Sequence, residues 1–146
     1  MNSEPNIQPG ENAKAPVVLV VEDDPLTRKM IGRRLQGAGY EVILVENAGD
    51  ALIIAQREAF HVLVLDLHLV TTDPFGGIHD GFGVMDWLLH QIGELPFRVV
   101  IHTSQKAQHL IEKAESRGVF AFCIKRRDMT NLVECVGEAV ASLKAA

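Results

Sequence analysis

The segment Val17–Leu35 reads VVLVVEDDPLTRKMIGRRL. Its first part, Val17–Val21, is apolar throughout. A run without polar alternation suits a strand buried on both faces, as in a parallel sheet. The run stops at Glu22-Asp23-Asp24, and Pro25 suits the first turn of a helix. Gly37 and Gly39 predict the end of that helix before Tyr40.

The same alternation continues along the chain. Short apolar runs recur at Val42–Val45, Val62–Leu65, Val99–Ile101 and Phe120–Ile124. Between and after them lie stripes at helical spacing: Ala48, Ala51, Leu52 and Ala55, then Ala107, Leu110, Ile111 and Ala114, then Leu132, Val133, Val136, Val140 and Leu143. Gly118 predicts the end of the fourth helix. The order is (βα)5. It predicts an α/β fold in three layers, a doubly wound five-stranded parallel sheet with helices on both faces. In such sheets the ligand site lies at the carboxyl ends of the strands, near the point where strand order reverses.

Composition agrees with one globular domain. The chain has 146 residues, 47% hydrophobic and 23% charged, an ordinary balance for a packed core. Its formal charge of −5 and the lack of a basic block argue against direct binding to nucleic acid or an anionic membrane. Cys123 and Cys135 cannot make a disulfide framework, and they read as reduced thiols of a cytoplasmic protein. No apolar run approaches the roughly 18 residues of a membrane span. Residues 1–15, rich in polar residues and holding two prolines, predict a mobile tail ahead of a domain over 16–146.

Chemistry-bearing residues stand at the ends of the apolar runs. Glu22, Asp23 and Asp24 follow the first, Asp66 the third, Thr103 and Ser104 the fourth, and Lys125 the fifth. Converging carboxylates repel one another, which raises their pKa values or calls for a cation, and an all-oxygen set favours a hard ion such as Mg²⁺. Lys125 offers a point charge to an anion and Thr103 a hydroxyl donor. Together they suit phosphoryl chemistry, with Asp66 as a possible nucleophile for an aspartyl phosphate. Singly, each has a plainer role. Asp24-Pro25 fits a helix cap, Asp66 a loop cap and Lys125 a solvated strand end. Their joint placement at four strand ends is what points to a site.

These residues resemble the receiver domain of two-component response regulators, a family with the flavodoxin-like fold. VVLVVEDDPLTRKMIGRRL is similar to that family's first strand, acidic pocket and first helix. VLVLDLHL resembles its phosphoacceptor strand, VVIHTS its hydroxyl strand and GVFAFCIKR its lysine strand. The likeness runs from about Val17 to Leu143. It implies that Asp66 accepts a phosphoryl group from a sensor histidine kinase or a histidine phosphotransfer protein. Asp23 and Asp66 would bind Mg²⁺ directly, Glu22 through water, and the backbone carbonyl of His68 would complete the protein ligands. Asp24 is a further acidic neighbour. Thr103 and Lys125 would bind phosphoryl oxygens, and Phe122 matches the aromatic switch that turns as Thr103 moves. The signalling face in such proteins corresponds here to about Gln105–Leu143, and homodimers occur among them. Enzymatic activity would be limited to self-catalysed phosphorylation and dephosphorylation of Asp66.

Two departures from the family pattern stand out. Arg126 follows Lys125 where the family has a proline in a cis peptide. Before a non-proline residue the cis form costs roughly 2.5–4 kcal/mol, so a trans bond, or a strained cis one, is expected. After Asp66 the chain runs through LHLVTTDPFGGIHDG, longer than the usual loop, with Asp80-Gly81 as the family's turn. Pro74, Gly76 and Gly77 predict a surface loop over 69–80. Its His68, Asp73, His79 and Asp80 match no standard metal signature.

Three functions follow. The first is a stand-alone phosphoacceptor signalling by contact with a downstream protein effector, since nothing after the fifth helix offers a DNA-binding or enzymatic output. The second is a receiver-shaped scaffold that acts without phosphorylation; the complete set of Asp23, Asp66, Thr103 and Lys125 argues against it. The third is a phosphatase of the haloacid-dehalogenase type. That family wants a second aspartate two residues after the nucleophile, where His68 stands.

Overall fold

The computed structural model describes residues 14–69, 71–72 and 78–145. A mobile tail over 1–15 was expected, and all but its last two residues lie outside the described ones, as do Asp73, Pro74, Gly76 and Gly77. The elements, in chain order, are β1 (Val17–Val21), α1 (Pro25–Gly37), β2 (Glu41–Val45), α2 (Ala48–Arg57) and β3 (Val62–Leu65). Then come β4 (Thr71–Thr72), β5 (Ile78–His79), α3 (Gly81–Ile92), β6 (Arg98–Thr103), α4 (Gln108–Glu115), β7 (Ala121–Ile124) and α5 (Thr130–Ala145).

Five strands form one parallel sheet in the order β2-β1-β3-β6-β7, the doubly wound arrangement that the sequence predicts. Strand order reverses between β1 and β3, so the crevice expected to hold chemistry opens where Glu22 and Asp66 stand. The middle strand β3 is buried throughout and β1 and β6 at all but their first residue, whereas edge strand β2 is half-buried or exposed.

Two apolar cores sit on opposite faces of the sheet. Leu19, Leu63, Leu65 and Ile101 pack with α2, α3 and Ala114 of α4. Val18, Val20, Val62, Val64, Val100 and Cys123 pack with α1 and α5 through Ile31, Leu35, Leu132 and Val136. This partition is the period-2 alternation of strands: odd and even positions serve different helices. Met85 is fully buried and Trp87 packs partly buried beside it.

The structure corrects one boundary. The stretch 69–80 is not wholly loop, because Thr71-Thr72 pairs antiparallel with Ile78-His79. Gly118 ends α4 as predicted: at φ +78, just past the last regular residue Glu115, its amide donates to the Glu115 carbonyl and that of Val119 to the Ala114 carbonyl. β6 runs from Arg98 to Thr103, ending where the sequence sets the polar end of the fourth strand. The Lys125–Arg126 bond is trans, the first of the two expected alternatives.

Candidate functional site

Each strand delivers its polar residue by the same alternation that builds the core. On the face packed against α1 and α5, the row Val20, Val64 and Val100 is followed one step on by Glu22, Asp66 and His102. The register sets these side by side, since Val20 pairs with Val64 and Val64 with Val100. Lys125 follows Cys123 on the same face of β7.

Lys125 ties the row together. Its Nζ donates to Glu22 Oε1 at 2.9 Å and to Asp66 Oδ2 at 3.0 Å. Because β6 lies between β7 and β3, the lysine stem must cross the carboxyl end of β6 to reach them. The amide of His68 donates to Asp66 Oδ1 at 3.0 Å. Glu22 is 2% and Asp66 6% exposed, so both carboxylates are largely withdrawn from water. Burial pushes the Glu22 carboxyl above its ordinary range, outweighing the pull of Lys125 and of the Asp24 amide in the other direction. For Lys125, burial favours the neutral amine, but the bonds to Glu22 and Asp66 prevail and hold the ammonium above its usual value.

Asp23 is exposed beside this pair. Carboxylate oxygens of Glu22, Asp23 and Asp66 all lie within 4.8 Å of one another, an all-oxygen donor set of the kind that hard divalent cations take. Asp24, the further acidic neighbour, is otherwise engaged. Its Oδ2 accepts from the Thr27 amide at 2.8 Å and the Thr27 hydroxyl at 2.6 Å, capping α1. Those bonds to Thr27 hold the Asp24 carboxyl below its usual value. The cap was the plainer of its two sequence roles.

Thr103 belongs to the other face. It is fully buried, its Oγ1 accepts from the Gln105 amide at 3.3 Å, and its carbonyl accepts from the Lys125 amide at 2.7 Å. Phe122, which pairs in register with Ile101, packs half-buried against that same core. The hydroxyl and the aromatic ring thus share one face of neighbouring strands. Beyond Lys125, Asn131 donates from Nδ2 to the Ile124 carbonyl at 2.7 Å and braces the loop.

Gly81 closes the pocket from below. A Cβ there would stand 2.5 Å from the Asp66 carbonyl oxygen and 2.8 Å from Leu67 Cα, so only glycine lets α3 start against the exit of β3. Asp80 caps that helix by accepting from the Gly83 amide at 2.8 Å. His68 is exposed beside the site.

His102 was missed by sequence reasoning. It is 1% exposed, and neither ring nitrogen has a hydrogen-bond partner, the one such side chain among the described residues. Burial, reinforced by the Lys125 charge and opposed by Asp66, drops its pKa to about 4 and keeps the ring neutral. The available signal was a polar residue inside the apolar run VVIHTS.

Comparison with known proteins matches this architecture. The sequence model of the response regulator receiver domain fits residues 18–137. The transcriptional regulatory protein GlrR of Escherichia coli K12 is 27% identical over 123 residues, which cover 84% of this chain and 26% of that protein. The sensor histidine kinase AruS of Pseudomonas aeruginosa is 38% identical over 61 residues, 42% of this chain and 6% of the kinase. This chain therefore spans about a quarter of GlrR and a small part of AruS. Among solved structures, a CheY-like receiver domain from Methanospirillum hungatei JF-1 superposes with a TM-score of 0.77 at 18% identity, covering 90% of this chain and 98% of that one. The receiver domain of a LuxO repressor from Vibrio parahaemolyticus gives 0.77 at 24% identity, over 90% and 94%. At those identities the superpositions speak for the fold. No helix among the described residues is long and apolar enough to cross a membrane.

Proposed function

This chain belongs to the response regulator receiver family, and from that premise we propose that Asp66 is its phosphoacceptor. Receiver domains engage histidine kinases and downstream effectors and bind Mg²⁺ in an acidic pocket. The observation that carries the assignment is the Lys125 bridge. A buried carboxylate at the reversal point of the sheet is held by a lysine that crosses a whole strand to reach it.

The donor set fits Mg²⁺. Asp23 and Asp66 would hold the ion, with Glu22 acting through water and the His68 carbonyl completing the protein ligands. When bound, the ion neutralises charge on the phosphoryl oxygens. An Asp66 carboxylate oxygen attacks the phosphorus of a phosphohistidine. The P–N bond breaks and its electron pair returns to the imidazole of the donor. Lys125 trades its resting carboxylate partners for a phosphoryl oxygen, and the Thr103 hydroxyl donates to another. Thr103 gives up its place near the Gln105 amide to do so, and Phe122 on the same face follows. The consequence is a changed surface on α4, β7 and α5, within Gln105–Leu143, which a downstream protein reads. The chemistry is self-catalysed phosphorylation and dephosphorylation of Asp66 rather than turnover of a separate substrate.

Intact-mass measurement after incubation with acetyl phosphate tests this. One added phosphoryl group that requires Mg²⁺ and is lost in Asp66→Ala is the expected result. No adduct, with beryllofluoride also failing to bind, would mean a receiver-shaped scaffold that acts without phosphorylation.

A further inference from the structure

His102 has no task in the chemistry above, yet it is almost wholly buried with neither ring nitrogen paired. An aliphatic side chain, such as Val100 two residues earlier, would fill this place without burying two polar nitrogens. Strand register carries His102 into the place next to Asp66 in the row of β1, β3 and β6, on the same sheet face. At rest each Asp66 oxygen already has a donor, Oδ1 from the His68 amide and Oδ2 from Lys125, and the imidazole has neither donor nor acceptor facing it. A neutral imidazole always carries one N–H to give.

Resting on the phosphoacceptor assignment of Asp66, we propose that His102 is a state-dependent hydrogen-bond donor: unpartnered at rest, it gives its N–H to an oxygen of the phosphorylated Asp66 side chain. Phosphorylation adds acceptor oxygens at the one neighbour within the row and draws Lys125 away from its resting bond. The buried N–H then finds the partner it lacks. His102 therefore weakens the resting form and strengthens the phosphorylated one. A packing histidine would do neither selectively.

The test uses the phosphoryl mimic beryllofluoride with Mg²⁺ on the whole chain, comparing wild type with His102→Leu, which keeps bulk and removes the donor. The expected result is opposite signs: the variant resists urea better at rest, yet binds beryllofluoride about tenfold more weakly. Imidazole ¹⁵N spectra of the wild type provide a readout that needs no variant. On beryllofluoride binding, the His102 N–H proton becomes protected from exchange and its nitrogen shifts. Wild-type binding with an unchanged His102 signal, or equal affinity in a folded His102→Leu, overturns this inference and leaves the phosphoacceptor intact. A wild type that binds no beryllofluoride and takes no phosphoryl group overturns both.

Discussion

Along β1, β3 and β6 the chemistry changes within one two-residue step. Val20, Val64 and Val100 lie in the middle of the sheet, fully buried among other aliphatic side chains. Glu22, Asp66 and His102 lie directly beyond them on the same face, nearly as withdrawn from water but polar. The first row is stabilised by burial alone. The second is held by few and specific contacts: one lysine, two backbone amides, and for His102 nothing at rest. Buried polar groups with incomplete partners mark places where function, rather than stability, selects the residue. The middle of the sheet is thus apolar throughout, and its carboxyl rim gathers the polar groups proposed to carry the chemistry.

The largest effect expected from breaking this contrast is in the apolar middle. Leu63→Ala, at a fully buried position, should lower unfolding free energy by about 3 kcal/mol, readable by urea denaturation. A loss under about 1 kcal/mol would mean that the middle is not what holds the sheet together.

The rim should reveal itself through pH. His102 titrates near 6.5 when unfolded but stays neutral in the fold down to about 4, flanked by Lys125 and Asp66. Between those limits the unfolded chain binds more protons. Stability is therefore complete above pH 6.5 and falls as pH drops toward 4, by about 3 kcal/mol from this group. Urea melts of wild type and His102→Leu at pH 7 and pH 4.5 check the sign: the advantage of the variant should widen at the lower pH.

Lys125→Met leaves two buried carboxylates without their cation. The lysine side chain is 24% exposed, so the loss is moderated to roughly 1–2 kcal/mol at pH 7. Burial already raises the Glu22 carboxyl, and without Lys125 it protonates more readily still. The deficit should shrink as pH falls toward 5, and a deficit that grows instead would contradict the pairing.

The smallest effect separates the neighbours Asp23 and Asp24. Asp24→Ala removes the α1 cap and should lower the melting temperature by roughly 2–5 °C while leaving Mg²⁺-dependent phosphoryl uptake intact. Asp23→Asn should do the reverse. Equal loss of uptake in both would return Asp24 to the metal site.

Much of this protein is legible from sequence because buried parallel strands advertise themselves. Runs such as Val17–Val21 and Val62–Leu65 match the observed strands at both ends, and the polar residue ending each run lands at the carboxyl rim that the fold makes functional. Edges and irregular stretches were harder to read. Thr71-Thr72 and Ile78-His79 pair over only two residues each, too short to leave a strand period in the sequence.

The sequence by itself determined the order of elements, the parallel sheet and the identity of the rim residues, because hydrophobic period and turn residues are local properties. Only the tertiary structure decided how those residues divide their work. Glu22 and Asp66 share one lysine from across the sheet, Asp24 turns away to its own helix, and Gly81 presses on the Asp66 backbone. His102 reaches the row beside Asp66 only through strand register. Residues tens of positions apart become neighbours by strand pairing, and no window along the chain contains that information.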